Sequence, residues 1–487
     1  MRKALLLFTA AALAITPAAA QRGLRYLDPR DVADAQRGHA ELLEEYGGAE
    51  TGPRAAYVQA VGRRVGAFSG IANPNQALQF TVLNAAVENA LSVPGGYIYI
   101  TRQLMGLMND ESELAFAVGH EVGHVAANHA HIREQYSRQN PLGVFGQILG
   151  AVFGDQVLGG MLQQRAQLQQ LSFSRDQEYQ ADTLGMRYML AAGYDPAGAA
   201  QLLAALSRQK ALQARVEGRT NRQTPEWAST HPLSENRMQR ALVAGQQTGR
   251  LGTGVRNRDG FLAQLDGVYV DDDPAQGIID GPVFTHPDLR IQFRVPAGYL
   301  MSNGTYAVTV AGSAGKAQFS GGAYRGSLEN YVASVFQALT QGQYRIAAPP
   351  PQRLTINGMQ AAVTTARINT NSGLIDASVV AYQWDPQRVY HFLMLTRGGT
   401  GIGPFTPMIS SLRKISQAEA SAIRPRVIQV VTVGRGDTIQ SLAARMAYRD
   451  LKLERFLTLN GLAANSPLVP GQRVKLAVYG VRRNAPA

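Results

Sequence analysis

Apolar residues recur every three or four positions over Asp31–Tyr46, Arg54–Phe68 and Pro196–Ala214, the rhythm of helices with one buried face. Leu78–Leu83 and Gly95–Thr101 break that rhythm. Both are short and rich in β-formers, so a small sheet is expected among the helices. Residues 21–245 therefore read as one mainly α unit. The stretch 246–260, rich in Gly, Gln and Arg, reads as a linker. From 261 to 416 the pattern changes. Leu289–Val295, Tyr306–Val310, Arg353–Ile356, Ala361–Asn369, Ala377–Gln383 and Val389–Leu395 alternate or are β-branched. Ser327–Thr340 and Phe405–Ile415 have helical spacing, and Pro349-Pro350-Pro351 marks a turn between the halves, so this domain is α+β. A polar linker at 417–427 leads to a compact tail at 428–480. The expected fold class is thus multidomain: a helical unit with a small sheet, an α+β domain, and a small βααβ module.

Length and composition narrow the chemistry. At 487 residues with 45% hydrophobic and 17% charged side chains, the chain should fold as several domains. It has no Cys, which excludes disulfide scaffolds, Cys-type zinc fingers, iron–sulfur clusters, cysteine nucleophiles and a lipoprotein anchor. A transition-metal site must then use His, Asp or Glu. Arg2 and Lys3, the apolar run Ala4–Ile15 and Ala18-Ala19-Ala20 have the layout of a secretory signal peptide over 1–20. The chain is therefore expected to be exported. The net charge of +12 falls by two when the leader is removed, and points to an anionic wall or membrane surface. Basic stretches such as Arg256–Arg258 are too sparse for nucleic acid. Leu142–Met161 is apolar but interrupted by Gln147, Asp155 and Gln156. It reads as a buried or flexible amphipathic segment near the active site, with peripheral membrane contact as the second reading.

The informative segment is Asp110–His131. Asp110 and Glu113 have capping-box spacing, so a helix starts there. Within it, His120 and His124 lie four apart and share a face, where both imidazoles can aim at one ion. Glu121 lies a step around the helix and can reach a water at that ion without being a ligand. Two His ligands plus an adjacent carboxylate base are what a zinc hydrolase needs. His129 should point away from that face and His131 lies two turns on, so both are expected as surface polar groups or as supports of the ligands rather than as ligands. A second predicted helix, around Ser174–Asp182, carries Glu178 and Asp182 four apart. Glu178 completes a two-His, one-Glu set, and Asp182 can accept the second N–H of a zinc histidine, His120.

These motifs, followed by Ser229-Thr230-His231-Pro232-Leu233-Ser234 and Arg237, resemble the HtpX/BepA-type gluzincin metallopeptidases, relatives of the CAAX prenyl protease. The resemblance covers most of 21–245. It implies one Zn2+ per chain held by His120, His124 and Glu178, with Glu121 as general base. Gln180 stands where relatives often carry an acid. Gly95, Gly96, Tyr97, Ile98 and Tyr99 look like the family's substrate-side strand, able to pair with unfolded or extended protein substrates. His231 and Arg237 can stabilise the oxyanion, and His231 can instead cap the zinc and keep the enzyme latent.

The tail carries Gly434-Arg435-Gly436-Asp437-Thr438, Leu459-Asn460-Gly461 and Pro470-Gly471-Gln472, and resembles a LysM module. That implies peptidoglycan binding, with Gly436, Asp437, Thr438 and Asn460 as candidate glycan residues. The middle domain faintly resembles PsbP/Mog-type domains. The expected function is an exported zinc endopeptidase acting on unfolded or misassembled envelope proteins. The rival is a latent peptidase that works as a chaperone, assembly factor or cell-wall-binding protein.

Overall fold

The computed structural model describes residues 24–130, 173–216, 231, 235–323, 326–339, 346–370 and 373–482. The leader over 1–20, His131 and the apolar stretch Leu142–Met161 lie outside the described residues. Among those described, no helix is long and apolar enough to cross a membrane.

The first unit holds helices α1 (Pro29–Glu45), α2 (Pro53–Gly66) and α3 (Pro74–Ala77). Strands β1 (Gln79–Leu83), β2 (Ala90–Val93) and β3 (Tyr97–Thr101) follow, then α4 (Arg102–Leu107) and α5 (Glu111–Ala127). Helices α6 (Arg175–Ala191), α7 (Ala197–Val216) and α8 (Glu235–Gln247) complete the layer around α5. The sheet order is β1-β3-β2, with β3 parallel to β1 and antiparallel to β2. Asp110 caps α5, accepting from the Ser112 and Glu113 N–H groups at 3.0 and 3.3 Å. The reciprocal half of the expected box is displaced by one residue, because Glu113 accepts from the Asn109 N–H instead.

The stretch expected as a linker at 246–260 is built into this unit. Val255 bridges to Tyr194, and Arg256 reaches the Asp110 carboxylate at 2.7 Å. Its polar residues satisfy the end of α5 rather than water. Helix α9 (Arg258–Leu265) buries Phe261, Leu262 and Leu265 in the same core, so residues expected to open the middle domain belong to the first unit. Strand β4 (Tyr269–Val270) follows.

The middle domain contains β5 (Ile278–Asp280), β6 (Val283–His286), β7 (Ile291–Arg294), β8 (Leu300–Asn303), β9 (Val308–Gly312) and β10 (Gly315–Ala323). Then come α10 (Leu328–Leu339), β11 (Gln352–Ile356), β12 (Met359–Thr370), β13 (Gly373–Gln383) and β14 (Arg388–Arg397). It ends with α11 (Thr406–Ser411) and β15 (Arg413–Lys414). A seven-stranded sheet, β11-β12-β13-β14-β10-β9-β8, lies beside a four-stranded one, β15-β7-β6-β5. The helix expected over Phe405–Ile415 is short because the chain leaves it at Leu412 to pair Lys414 with Ile291.

His391 is buried on β14, with Tyr331 Oη 3.0 Å from Nδ1 and Ser320 Oγ 3.3 Å from Nε2. Burial pushes its pKa down to about 4, and His286 shifts the same way. Below pH 6.5 the unfolded chain takes up a proton that folded His391 refuses until about pH 4, so stability is lost as pH falls through that window. The loss at His391 reaches roughly 3 kcal/mol. His391→Gln should flatten part of the acid limb of denaturant midpoint against pH, and an unchanged limb would refute this.

After α12 (Gln417–Ala422), in the second expected linker, the tail forms β16 (Arg426–Thr432), α13 (Ile439–Ala444), α14 (Lys452–Asn460) and β17 (Arg473–Tyr479). It is not a separate bead. Strand β16 pairs with β17 and β4, and Leu442, Phe456 and Leu476 join Met105, Leu107 and Phe261 in one core.

Candidate metal centre

Helix α5 is buried along nearly its whole length, and its apolar residues surround His120, Glu121 and His124. Helix α6 crosses it where both chains are small. A Cβ on Gly119 would meet Gly185 O at 3.2 Å, and one on Gly123 would meet Ala181 O at 3.1 Å. A Cβ on Gly185 would come within 2.8 Å of the His120 backbone nitrogen. This close approach brings Glu178 on α6 to the histidine pair. Gly185→Ala should push the helices apart, costing about 1–3 kcal/mol. Zinc affinity should fall roughly ten-fold or more. Chelator competition and thermal melting would measure both, and unchanged zinc affinity would refute the seam's role.

One ligand atom each from His120, His124, Glu178 and His231 lies within 4.8 Å of all the others, and all four residues are buried. The two Nε2 atoms are 3.0 Å apart, and Glu178 oxygens lie 3.6 Å from each. His231 Nδ1 is 2.9 Å from Glu178 Oε1. Burial first, then the neighbouring imidazoles, push His124 well below its ordinary pKa, leaving it neutral with a lone pair to give. Burial alone would raise Glu178, but His231, His120 and Arg237 hold it below the usual carboxylate value. A buried, neutral His124 beside an ionised Glu178, with His120 on the same face, suits a divalent cation, so the donor set fits zinc.

The surrounding shell aims these groups. Asp182 Oδ1 lies 3.0 Å from His120 Nδ1. Arg237 forks onto Asp182 at 2.8 and 2.7 Å and reaches Glu178 Oε2 at 2.7 Å. Its guanidinium is thus committed to two carboxylates. This corrects the expectation that Arg237 stabilises an oxyanion, and makes it a clamp that positions Glu178. His129 turns toward the site rather than away from it, and takes the supporting role beside His124. The chain turns through Asn128 at φ 60°, so helical geometry no longer predicts where His129 points. It lies buried, Nδ1 2.9 Å from His124 Nδ1 and Nε2 3.1 Å from Gln180 Oε1. The amide at position 180 is therefore a partner of this chain's own His129.

Glu121 accepts from Ser92 Oγ at 2.9 Å through Oε2, while its buried Oε1 has no hydrogen-bond partner among the described residues and lies 3.5 Å from His231 Nε2. Ser92 was missed in the sequence and sits on β2. Strand β3 cannot receive a peptide as expected, because β1 and β2 already occupy both its edges. Gly95 and Gly96, at φ 93° and 87°, form the β2–β3 turn, Ile98 and Tyr99 are buried, and Tyr97 is half-buried. Among the described residues no strand covers the outer edge of β2. The alternation at Tyr97–Ile100 marked the central strand, whereas the free edge is short and carries a Ser.

In the tail, Gly436 and Thr438 are exposed, and Asp437 accepts from the Gly434 N–H at 2.7 Å, closing the turn before α13. Asn460 is a correction. It is buried, donates to the Phe456 and Lys475 carbonyls at 3.0 and 2.9 Å, and accepts from the Lys475 N–H at 2.7 Å. Its polar groups hold α14 to β17 and leave nothing for a glycan.

The Peptidase family M48 model matches residues 53–243, and the LysM domain model matches residues 431–477. The beta-barrel assembly-enhancing protease of Yersinia pestis is 30% identical over 201 residues, covering 39% of this chain and 39% of that one. The same-named protein of Escherichia coli (strain K12) is 30% identical over 190 residues, 37% of each chain. The mitochondrial metalloendopeptidase OMA1 of Schizosaccharomyces pombe is 27% identical over 209 residues, 42% of this chain and 58% of that one. The chain thus spans less than two thirds of each of these relatives. The solution structure of cyanobacterial PsbP from Synechocystis covers 28% of this chain at 9% identity with a TM-score of 0.23, too low to assign a fold.

Proposed function

From the Peptidase family M48 domain at 53–243 and the LysM domain at 431–477, we propose that this chain is an exported zinc endopeptidase for unfolded or misassembled envelope proteins. The observation that carries the reading is the buried convergence of His120, His124 and Glu178 beside the buried carboxylate of Glu121. Zinc, when bound, supplies Lewis acidity that polarises a peptide carbonyl and acidifies water. The side chains do the rest. Asp182 fixes the tautomer that turns His120 Nε2 to the centre, and His129 orients His124. Glu121 takes the proton of the attacking water on Oε1 and returns it to the leaving amine, while Ser92 holds Oε2. An extended segment pairs with the outer edge of β2, which selects unfolded chain over folded domains. The exposed turn at Gly436–Thr438 supports peptidoglycan contact, and the leader-like residues 1–20 support a periplasmic location.

A second reading is favoured by His231, which lies inside the donor cluster. As a fourth donor it fills the position a catalytic site keeps open, which would leave the peptidase latent and the chain acting as a chaperone or assembly factor. On the peptidase reading the zinc-loaded full chain should cleave casein; where His231 caps the ion, His231→Ala should cleave it about ten-fold faster, a barrier lower by about 1.4 kcal/mol. No cleavage by either form would overturn the peptidase reading in favour of the chaperone.

A further inference from the structure

A cavity of about 310 Å3 adjoins the metal centre, and nothing in the motifs accounts for one of its walls. His124 and Ser92 border it on the catalytic side. Leu27, Val93, Pro94, Val125 and Phe173 give it apolar surface. The wall supplied by Arg25–Asp31 precedes residue 53, where the family match begins.

Three separate anchors hold that strap. Its backbone pairs with the loop after α2, through Arg25 N–H to Gly70 O at 3.0 Å and Ala72 N–H to Arg25 O at 2.8 Å. The Arg25 guanidinium donates to the carbonyls of Val125, at 3.0 Å, and Ala126, on the last turn of the helix that carries both histidines. A cation there also complements the negative end of the helix dipole. Finally, the strap packs directly on the β2–β3 turn. A Cβ on Gly95 would meet Asp31 O at 2.5 Å, and one on Gly96 would meet a Leu27 methyl at 2.7 Å. The strap is therefore fixed to both elements that flank a peptide lying on β2.

We propose that Arg25–Asp31 is a specificity-determining wall of the substrate cleft, and that the cavity behind it receives a bulky apolar side chain of the bound peptide. This rests on the peptidase reading for the course of the peptide. The carboxylate of Asp28 is engaged in capping α1, accepting from the Arg30 N–H at 2.8 Å, and the Arg25 guanidinium is bound to helix carbonyls. The apolar surface offered to a guest is that of Leu27, Val93, Val125 and Phe173. Burying a phenylalanine there in place of alanine should tighten binding about ten- to a hundred-fold.

The test uses the full-length, zinc-loaded Glu121→Gln protein, so that peptides bind without being cut. Fluorescent extended peptides carrying Ala or Phe at each position in turn are titrated by anisotropy. One position should show the ten- to hundred-fold preference for Phe. Leu27→Trp should erase it by filling the cavity, and Leu27→Ala should shift it toward Trp, with zinc content and melting temperature verifying that each variant folds. Absence of binding, absence of an apolar preference at every position, or a preference untouched by both Leu27 variants would overturn the proposal. Casein digestion by the protein with intact Glu121 separates the two ideas. Cleavage without the preference removes only the pocket, and the preference without cleavage removes only the peptidase reading.

Discussion

Glu121→Gln should lower the rate of casein cleavage by roughly 10³-fold or more while leaving one zinc per chain. Removal of a positioned general base typically costs 10²–10⁴-fold. This site should sit toward the upper part of that range, because the other carboxylates at the centre are already engaged. Glu178 is bound to His231 and Arg237, and Asp182 is bound to His120 and Arg237. Glutamine keeps the volume of Glu121 and can still accept from Ser92 through its amide oxygen, so α5 need not move. It cannot take a proton from water. Initial rates on casein and metal analysis of the purified variant measure the two halves. Activity above a tenth of the parent's would remove Glu121 from the base role, and loss of zinc would make it a ligand instead.

What could be read in the sequence was local. His120 and His124 belong to one helix whose start is marked by Asp110, and Glu178 and Asp182 repeat the same four-residue spacing on a second helix. Their meeting requires the crossing at Gly119 and Gly185. Its only trace is glycine where a helix would ordinarily avoid it, at 119, 123 and 185. His129 escaped because helical geometry stops at Asn128. Ser92 and Arg25 escaped because they reach the site through tertiary contacts, over 29 and 100 residues of sequence. In the middle domain, β10 was hidden by its glycines, which weaken a strand pattern although the strand is held between β9 and β14.

The placement of the tail was also illegible, and it leads to a second large effect. Lys475→Ala should destabilise the protein by about 3–5 kcal/mol. Lys475 is fully buried on β17, yet its Nζ crosses out of the tail to donate to Gly106 O, at 2.7 Å, and Met108 O in the turn between α4 and α5. In sequence it is one more lysine of a β-strand, and nothing local says that its partners lie 369 and 367 residues away. Burial lowers the pKa of Lys475 and raises that of neighbouring Glu113 on the first turn of α5. Alanine would strand two buried carbonyls and remove an amine whose charge favours the Glu113 carboxylate, beside the cap of the helix that carries the metal ligands. Lys475→Met, which keeps the volume, should lose less. Both variants should lower the denaturant midpoint of the first unit together with that of the tail, because Phe456 and Leu476 share a core with Met105 and Phe261. If the tail instead unfolds by itself while zinc-dependent cleavage persists unchanged, it is a passive appendage. A joint transition makes it part of the scaffold on which α5 is set.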